Sequence, residues 1–316
     1  MNLKKNLLFE KKSLFLSTIS TNFGTPDTHA CTRMADSGEE IYKTTFKLYR
    51  NWSPKSDLPL IDLRYAENYE NFFQQLEQSS DISSANCETF THFKPFDQWK
   101  IYKLIKGLDG FFIITGILKE NFRQDWFDYF HDQLPSYHEE LNLKSNISLN
   151  DLNEKSKSKL RWITFGYHHD WNSKVYDLNQ KTVRIPDRIN DLCRIVSMFM
   201  NFHISSSSST LKPEAGIVNY YTQNSSLCFH TDHSELNHHA PLFSLSLGSS
   251  AIFLIGGQTK QSSQPIVPVL LNDSDLVIMS NKSRLALHSV PKILPSETLV
   301  KNGNIFRVNV NIRQVF

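Results

Sequence analysis

The sequence predicts an α+β protein in which a helical N-terminal extension packs on a C-terminal antiparallel double sheet, a sandwich or jelly roll. Three observations predict this fold. Apolar residues make up 40% of the 316 positions and aromatic residues 12%, enough for a sizeable core. Helix-like spacing dominates the first half, whereas short strand-like segments follow one another from Gly216 onward. No helical pattern separates those strands, which is typical of double-sheet folds.

Three parts are expected along the chain. Residues 1–40 are a disordered leader or a transit segment, residues 41–160 a helical region, and residues 161–316 the main domain, with a strand core at 214–316. Residues 1–33 have five basic residues against Glu10 and Asp27 and are rich in serine and threonine, as mitochondrial transit peptides are, although Glu10 argues against that interpretation. We expect a mitochondrial or nuclear location, with the cytoplasm as the alternative.

Charge, apolar run length and cysteine spacing exclude several classes of protein. With 34 basic and 32 acidic side chains the net charge is +2, which excludes a histone-like protein but allows local basic patches. The apolar runs are far shorter than the roughly 18 residues that a membrane span needs, so no membrane partner is expected. The four cysteines form no CxxC pair, which argues against a zinc finger or a disulfide scaffold.

Apolar spacing and turn residues assign the individual elements. Helices are predicted over the segments 41–51, 66–78 and 119–134, and a fourth begins at Pro186. The segment FFIITGIL, which follows Gly110, predicts a strand. Eight further strands are predicted over 216–222, 226–232, 241–247, 250–255, 266–271, 275–280, 284–290 and 304–315.

His230 and Asp232 form the first candidate site. Residues i and i+2 of a strand point to the same face, so this imidazole and this carboxylate converge. His288, in the strand-like segment RLALHSV, is the best candidate for a third ligand. Two histidines and one carboxylate make the facial triad of non-haem Fe(II) oxygenases. The alternatives are a polar surface loop and a zinc site built from the other histidines of HTDHSELNHH, whose spacing matches no familiar zinc pattern.

Polar residues alternate with apolar ones on the last strand. Arg307, Asn309, Asn311 and Arg313 share one face, and the residues between them are apolar. This face is either a solvent-facing side of an antiparallel sheet or one wall of a pocket. Two guanidiniums on a pocket wall suit a dicarboxylate, because each binds a carboxylate at two points. Upstream, Asn219 and Tyr221 also share a face and can donate hydrogen bonds to a carboxylate.

Together these motifs resemble the AlkB family of Fe(II)- and 2-oxoglutarate-dependent dioxygenases. The segments NYY and HTD, the distant His288 and the segment RVNVNIR stand in the family's order. Further segments, LRWITFGYHHDWNSKVY and SRLALHSVP among them, are similar to the branch of AlkB homologue one over most of residues 41–316. The resemblance implies a double-stranded β-helix, which is a jelly roll, with N-terminal elements that grip nucleic acid.

The resemblance also implies roles for individual residues. The implied Fe(2+) ligands are His230, Asp232 and His288. The implied 2-oxoglutarate-binding residues are Asn219, Tyr221, Arg307, Asn309 and Arg313. With O2, such a site oxidises methyl groups on nucleobases, and the implied substrates are 1-methyladenosine in tRNA, N6-methyladenine in DNA and 5-methylcytosine in tRNA. A nucleic-acid-binding protein with an inactive site and an abasic-site lyase are the alternatives.

Substrate contacts are expected from the segment before the strand core. A base inside a duplex cannot reach the metal, so the expected partner is tRNA or single-stranded or locally unpaired DNA, bound by a monomer. Aromatic residues expected to meet the base are Tyr167, His169 and Trp171. A basic run expected to contact phosphates, or alternatively to be a solvated linker, consists of Lys155, Lys157, Lys159 and Arg161.

Overall fold

The structure is a computed structural model. It describes residues 30–77, 91–136, 160–170, 173–181, 183–203, 211–294 and 306–316. Within these residues no helix is long and apolar enough to cross a membrane.

Two antiparallel sheets are formed by the strands of the described residues. The large sheet has nine strands in the order β1-β2-β3-β11-β8-β13-β6-β4-β5, and the small sheet has four in the order β10-β9-β12-β7. The strand bounds are Phe73–Gln75 (β1), Lys100–Leu104 (β2), Phe111–Thr115 (β3), Trp162–Asp170 (β4), Val175–Lys181 (β5), Ala215–Tyr221 (β6), Leu227–His230 (β7), Leu242–Gly248 (β8), Ala251–Ile255 (β9), Val267–Leu271 (β10), Leu276–Met279 (β11), His288–Ile293 (β12) and Arg307–Arg313 (β13).

Helices flank the two sheets. The long ones are Ala30–Arg50 (α1), Glu120–Asp128 (α2) and Asp187–His203 (α3). Residues Tyr129–Gln133 extend α2 as a π-helical turn, and a last α-helical turn, Leu134–Ser136, follows. Short 3-10 helices occupy Leu63–Asn68, Phe96–Gln98 and Asn281–Leu285.

The hydrophobic core fills the spaces between four layers, which are α2 with α3, the large sheet, the small sheet and α1. On β13, Val308, Val310 and Ile312 are fully buried in a cluster with residues of α2 and α3, so these helices cover the outer face of the large sheet. A second cluster joins strands of the large sheet to β9, β10 and β12, and it fills the space between the sheets. Tyr42 and Tyr49 of α1 pack with β9 on the outer side of the small sheet. The polar face of β13 therefore turns toward the small sheet.

Several predicted elements are confirmed. The helices expected over 41–51 and 119–134 and after Pro186 are present, as is the FFIITGIL strand. All eight predicted C-terminal strands are found, although the one expected over 284–290 begins only at His288, because a 3-10 helix occupies its first residues.

The N-terminal half differs from the prediction in three ways. The helix expected over 66–78 is wrong, because a 3-10 helix and β1 lie there. The region over 41–160, expected to be helical apart from the FFIITGIL strand, also contains β1 and β2, and β3 pairs with β11, so this region extends the large sheet. Residues 30–40 of the expected leader or transit segment belong to α1, which begins at Ala30, and residues 1–29 lie outside the described residues. Because β1 has only three residues, it is too short to show the two-residue period of a strand, and the partner of a strand cannot be read from its own periodicity.

Gly216 of β6 lies opposite Phe165 of β4 and supports the aromatic ring directly. A Cβ added at Gly216 would lie 2.0 Å from Cζ of Phe165, whose side chain is fully buried. An added methyl group there has no free volume, because protein interiors are close-packed. Gly216 thus leaves room for the Phe165 ring to lie across the pair of β4 and β6, and β6 also carries Asn219.

We expect Gly216→Ala to lower the free energy of unfolding by about 1–3 kcal/mol, the usual effect of overpacking a core. Urea denaturation measures the change. In a Phe165→Leu background the same substitution should cost much less, since the smaller side chain can move. An undiminished cost in that background would show that the ring is not what Gly216 accommodates.

Candidate metal centre

The pairing of β7 with β12 brings the predicted metal ligands together. His230 ends β7 and His288 begins β12, and the two residues are direct cross-strand partners. Asp232 Oδ1 lies 3.9 Å from His230 Nε2, and Asp232 Oδ2 lies 3.8 Å from His288 Nε2. One ligand atom from each residue lies within 4.8 Å of the others, a spacing that suits a single metal ion. The predicted triad is therefore assembled.

Both imidazoles present the right nitrogen to a metal. Nδ1 of His230 lies 2.9 Å from the carbonyl oxygen of Cys228, and Nδ1 of His288 lies 3.0 Å from that of Ala286. A carbonyl only accepts, so Nδ1 carries the hydrogen and Nε2 keeps its lone pair. Burial and the neighbouring His230 lower the pKa of His288 to about 4, which keeps this ring neutral at pH 7.

Asp232 is held ionised by an arginine. Nη2 of Arg313 lies 2.8 Å from Asp232 Oδ1, and both side chains are largely buried. Burial alone would raise the pKa of Asp232, but the guanidinium of Arg313 holds it well below its usual range. The third ligand is thus a carboxylate whose charge is shared between the metal site and Arg313.

The predicted cosubstrate residues form a wall on two neighbouring strands. Arg307 of β13 is the cross-strand partner of Tyr221, and Asn309 is the partner of Asn219. Nδ2 of Asn309 donates to Ser244 Oγ at 2.9 Å. Burial raises the pKa of Tyr221 to about 12, so its hydroxyl remains a donor at neutral pH. This face contains hydrogen-bond donors and cations suited to an anionic ligand.

The surroundings of Arg307 indicate whether this wall can bind 2-oxoglutarate. The residue is 1% exposed, and burial lowers its pKa to about 10. Its terminal nitrogens donate to the Ser249 carbonyl at 3.0 Å and to Ser246 Oγ at 2.7 Å, while its Nε has no hydrogen-bond partner. In the described part of the chain no carboxylate forms an ion pair with it. Asp273 and Asp275 interact with the guanidinium electrostatically but without a direct ion pair, so a carboxylate ligand can still pair with it.

The predicted substrate residues are only partly described. His169 is 4% exposed, and its ring packs edge-on against Tyr176 with centroids 5.1 Å apart. Tyr167 is half-buried and packs against Phe316. Arg161 is exposed, with Nη1 3.4 Å from Ser225 Oγ. Trp171 and the three lysines of the basic run lie outside the described residues, so their expected contacts remain predictions.

Two buried charged residues of the site were not predicted. Glu235 and Arg284 form an ion pair of 2.8 Å, and both are almost completely buried. Glu235 belongs to the polar segment HTDHSELNHH, which is typical of an exposed loop, and Arg284 falls in a segment interpreted as a strand. The two positions are 49 residues apart, so no local pattern could reveal the contact.

We expect His288→Ala to weaken Mn(II) binding by at least about 100-fold, more than the loss of a supporting residue costs. The matched control is His239→Ala, which removes an exposed histidine of the neighbouring loop and should leave the affinity unchanged. Titration of the purified chain with Mn(II), followed by the electron paramagnetic resonance of the free ion, measures both. Tight Mn(II) binding by His288→Ala, or a loss of Mn(II) binding in His239→Ala, would place the metal elsewhere.

Comparison with known proteins agrees with this geometry. A family described as the 2OG-Fe(II) oxygenase superfamily matches residues 110–313. The human protein named nucleic acid dioxygenase ALKBH1 is 31% identical over 84% of this chain and 73% of its own length. The Schizosaccharomyces pombe tRNA demethylase abh1 is 38% identical over 50% of this chain and 53% of its own.

Two further similarities extend this comparison. The Arabidopsis thaliana DNA N(6)-methyladenine demethylase ALKBH1A is 34% identical over 50% of this chain and 49% of its own. A solved structure titled "The structure of OsALKBH1" has a TM-score of 0.49 and 22% identity, and covers 67% of this chain and 99% of its own. The chain therefore belongs to the 2OG-Fe(II) oxygenase superfamily and, within it, to the AlkB family, in the branch of AlkB homologue one.

Proposed function

We propose that this dioxygenase oxidatively demethylates nucleobases in tRNA and DNA. The proposed substrates are 1-methyladenosine in tRNA and N6-methyladenine in DNA, and oxidation of 5-methylcytosine in tRNA is a further reaction of the same site. The relatives named above as a tRNA demethylase and as a DNA N(6)-methyladenine demethylase support these choices. The observation that carries the proposal is the His230–Asp232–His288 cluster beside a wall that contains the buried Arg307 guanidinium, whose Nε has no hydrogen-bond partner.

The residues of the site would have separate roles in metal binding and cosubstrate binding. His230, Asp232 and His288 would hold Fe(2+) through three positions and leave the others open. Arg307 would bind one carboxylate of 2-oxoglutarate, with Asn219, Tyr221 and Asn309 on the same wall. When bound, iron, 2-oxoglutarate and O2 supply the oxidation of the methyl group, with release of succinate and CO2. The buried wall keeps water away from this chemistry.

The hairpin of β4 and β5 would contact the methylated base and position it at the metal. A methylated base must leave its stack to approach the metal, so the nucleic acid is bound single-stranded or with the base flipped out. His169 lies on this hairpin and packs against Tyr176, whose hydroxyl accepts from Arg313, and these contacts support its proposed role near the metal centre. Burial and Arg313 lower the pKa of His169, so a neutral ring would face the base. Tyr167, Trp171 and the basic run would extend this surface.

Product analysis tests the proposal directly. The purified chain, loaded anaerobically with Fe(II) and 2-oxoglutarate, is exposed to O2 with 1-methyladenosine tRNA, N6-methyladenine DNA or 5-methylcytosine tRNA. We expect loss of the methyl mark, or its oxidation in the third case, with one succinate per event by mass spectrometry. Unmethylated oligonucleotides of the same sequence are the control. Cleavage of abasic DNA that persists under chelation, without any demethylation, would favour a lyase.

We expect Arg307→Ala to raise the KM for 2-oxoglutarate by about 10- to 100-fold, since a hydrogen bond to a charged group contributes about 1.5–3 kcal/mol. Initial rates at varied 2-oxoglutarate measure the change. Arg307→Lys retains the charge but loses two-point binding and should give a smaller increase. Arg184→Ala, which removes an exposed arginine, is the matched control. An unchanged KM in Arg307→Ala would remove this residue from cosubstrate binding.

A further inference from the structure

Glu235 lies three residues after the metal ligand Asp232, in a segment without regular secondary structure. Its surroundings in sequence are polar, yet it is only 2% exposed. Burial of a carboxylate is unfavourable unless charged and hydrogen-bonding partners surround it. The partners of Glu235 therefore indicate the role of this position.

Two buried guanidiniums hold the Glu235 carboxylate through different oxygens. Nη2 of Arg284 donates to Oε2 at 2.8 Å, and Nη1 of Arg313 lies 3.2 Å from Oε1. The other terminal nitrogen of Arg313 contacts Asp232. Glu235 thus fixes the guanidinium that orients the metal-binding carboxylate.

Arg284 holds the main chain of the same segment. Besides its contact with Glu235, it donates from Nη1 to the Asp232 carbonyl at 2.7 Å and from Nε to the Ala240 carbonyl at 3.1 Å. Within the described residues, all hydrogen bonds of the Arg284 side chain therefore go to one irregular segment. The side chain of Asp232 is held by Arg313 and its backbone by Arg284, and Glu235 joins the two arginines.

Tyr176 connects this arrangement to the β4–β5 hairpin. It is 5% exposed, and its hydroxyl donates to Glu235 Oε1 at 2.7 Å and accepts from Arg313 Nη1 at 3.2 Å. Its ring is the one that packs against His169. A continuous path of buried contacts therefore runs from the hairpin through Tyr176, Glu235 and Arg313 to Asp232.

We propose that Glu235 is a positioning residue of the metal centre, which holds Arg313 in place beside Asp232 and, through Tyr176, couples this contact to the β4–β5 hairpin. The two arginines balance Glu235 and Asp232 in charge. Without the charge of Glu235, Arg313 keeps Asp232 as its sole carboxylate partner within the described residues and competes more strongly with the metal for it. The inference rests on the metal centre and not on which nucleic acid is oxidised.

The test is a titration with Mn(II) alone, without 2-oxoglutarate or nucleic acid, followed by the electron paramagnetic resonance of the free ion. We expect Glu235→Gln to weaken Mn(II) binding by about 10- to 100-fold, the range for residues that support metal ligands. Tyr176→Phe removes only the hydroxyl and should weaken binding by a smaller factor. The loss in the double variant should be smaller than the product of the two single losses, because the Tyr176 hydroxyl contacts both Glu235 and Arg313 and the two substitutions therefore disturb the same contacts.

Tyr220→Phe is the matched control. It also removes a fully buried hydroxyl, which donates to the Phe130 carbonyl at 2.7 Å in the core under α2. Its Mn(II) affinity should stay within about twofold of the parent. Parental affinity in both Glu235→Gln and Tyr176→Phe, or an equal loss in Tyr220→Phe, would overturn the proposal. If thermal melts show that Glu235→Gln does not fold, the Mn(II) affinities of Tyr176→Phe and Tyr220→Phe decide, and equal affinities would overturn the proposal. Failed demethylation with normal metal binding would reject the proposed function and not this inference.

Discussion

The metal centre depends on one register, the pairing of His230 at the end of β7 with His288 at the start of β12. A shift of one residue would turn one imidazole to the opposite face of the small sheet, because side chains alternate along a strand. An irregular segment follows β7 directly after His230, so contacts outside this strand pair have to hold the register. The buried apolar residues between the sheets and under α1 provide that support.

The two buried arginines of β13 stand in opposite electrostatic situations. Arg313 has Asp232 and Glu235 as counter-ions, which raise its pKa despite its burial. Arg307, six residues away on the same strand face, forms no direct ion pair among the described residues, and burial lowers its pKa to about 10 although Asp273 and Asp275 interact with it electrostatically. Arg313 is thus fully paired with carboxylates of the protein, whereas Arg307 can still pair with a carboxylate ligand. This difference suits a cosubstrate that brings its own negative charge.

Much of the site could be predicted from local pattern. The strict alternation along β13 is a strand property that a sequence displays directly, and the structure confirms it. The expected convergence of His230 and Asp232 is also found, but β7 ends at His230, so Asp232 is positioned by its contacts with Arg313 and Arg284 and not by strand geometry. The addition of β1, β2 and β3 to the large sheet could not be predicted, because edge pairing is specified by backbone hydrogen bonds between distant segments. Glu235 and Arg284 were missed for a related reason: a charged residue signals burial only through its partner, and that partner lies far along the chain.

Diffraction from crystals grown with Mn(II) and 2-oxoglutarate tests the central claim most directly, because anomalous scattering locates the ion independently of any assumption about its ligands. The account predicts one strong anomalous peak within coordination distance of His230, Asp232 and His288, with density for a dicarboxylate that reaches from the ion to Arg307. An ion bound instead by the loop histidines His233, His238 and His239, or a dicarboxylate that avoids Arg307, would contradict it.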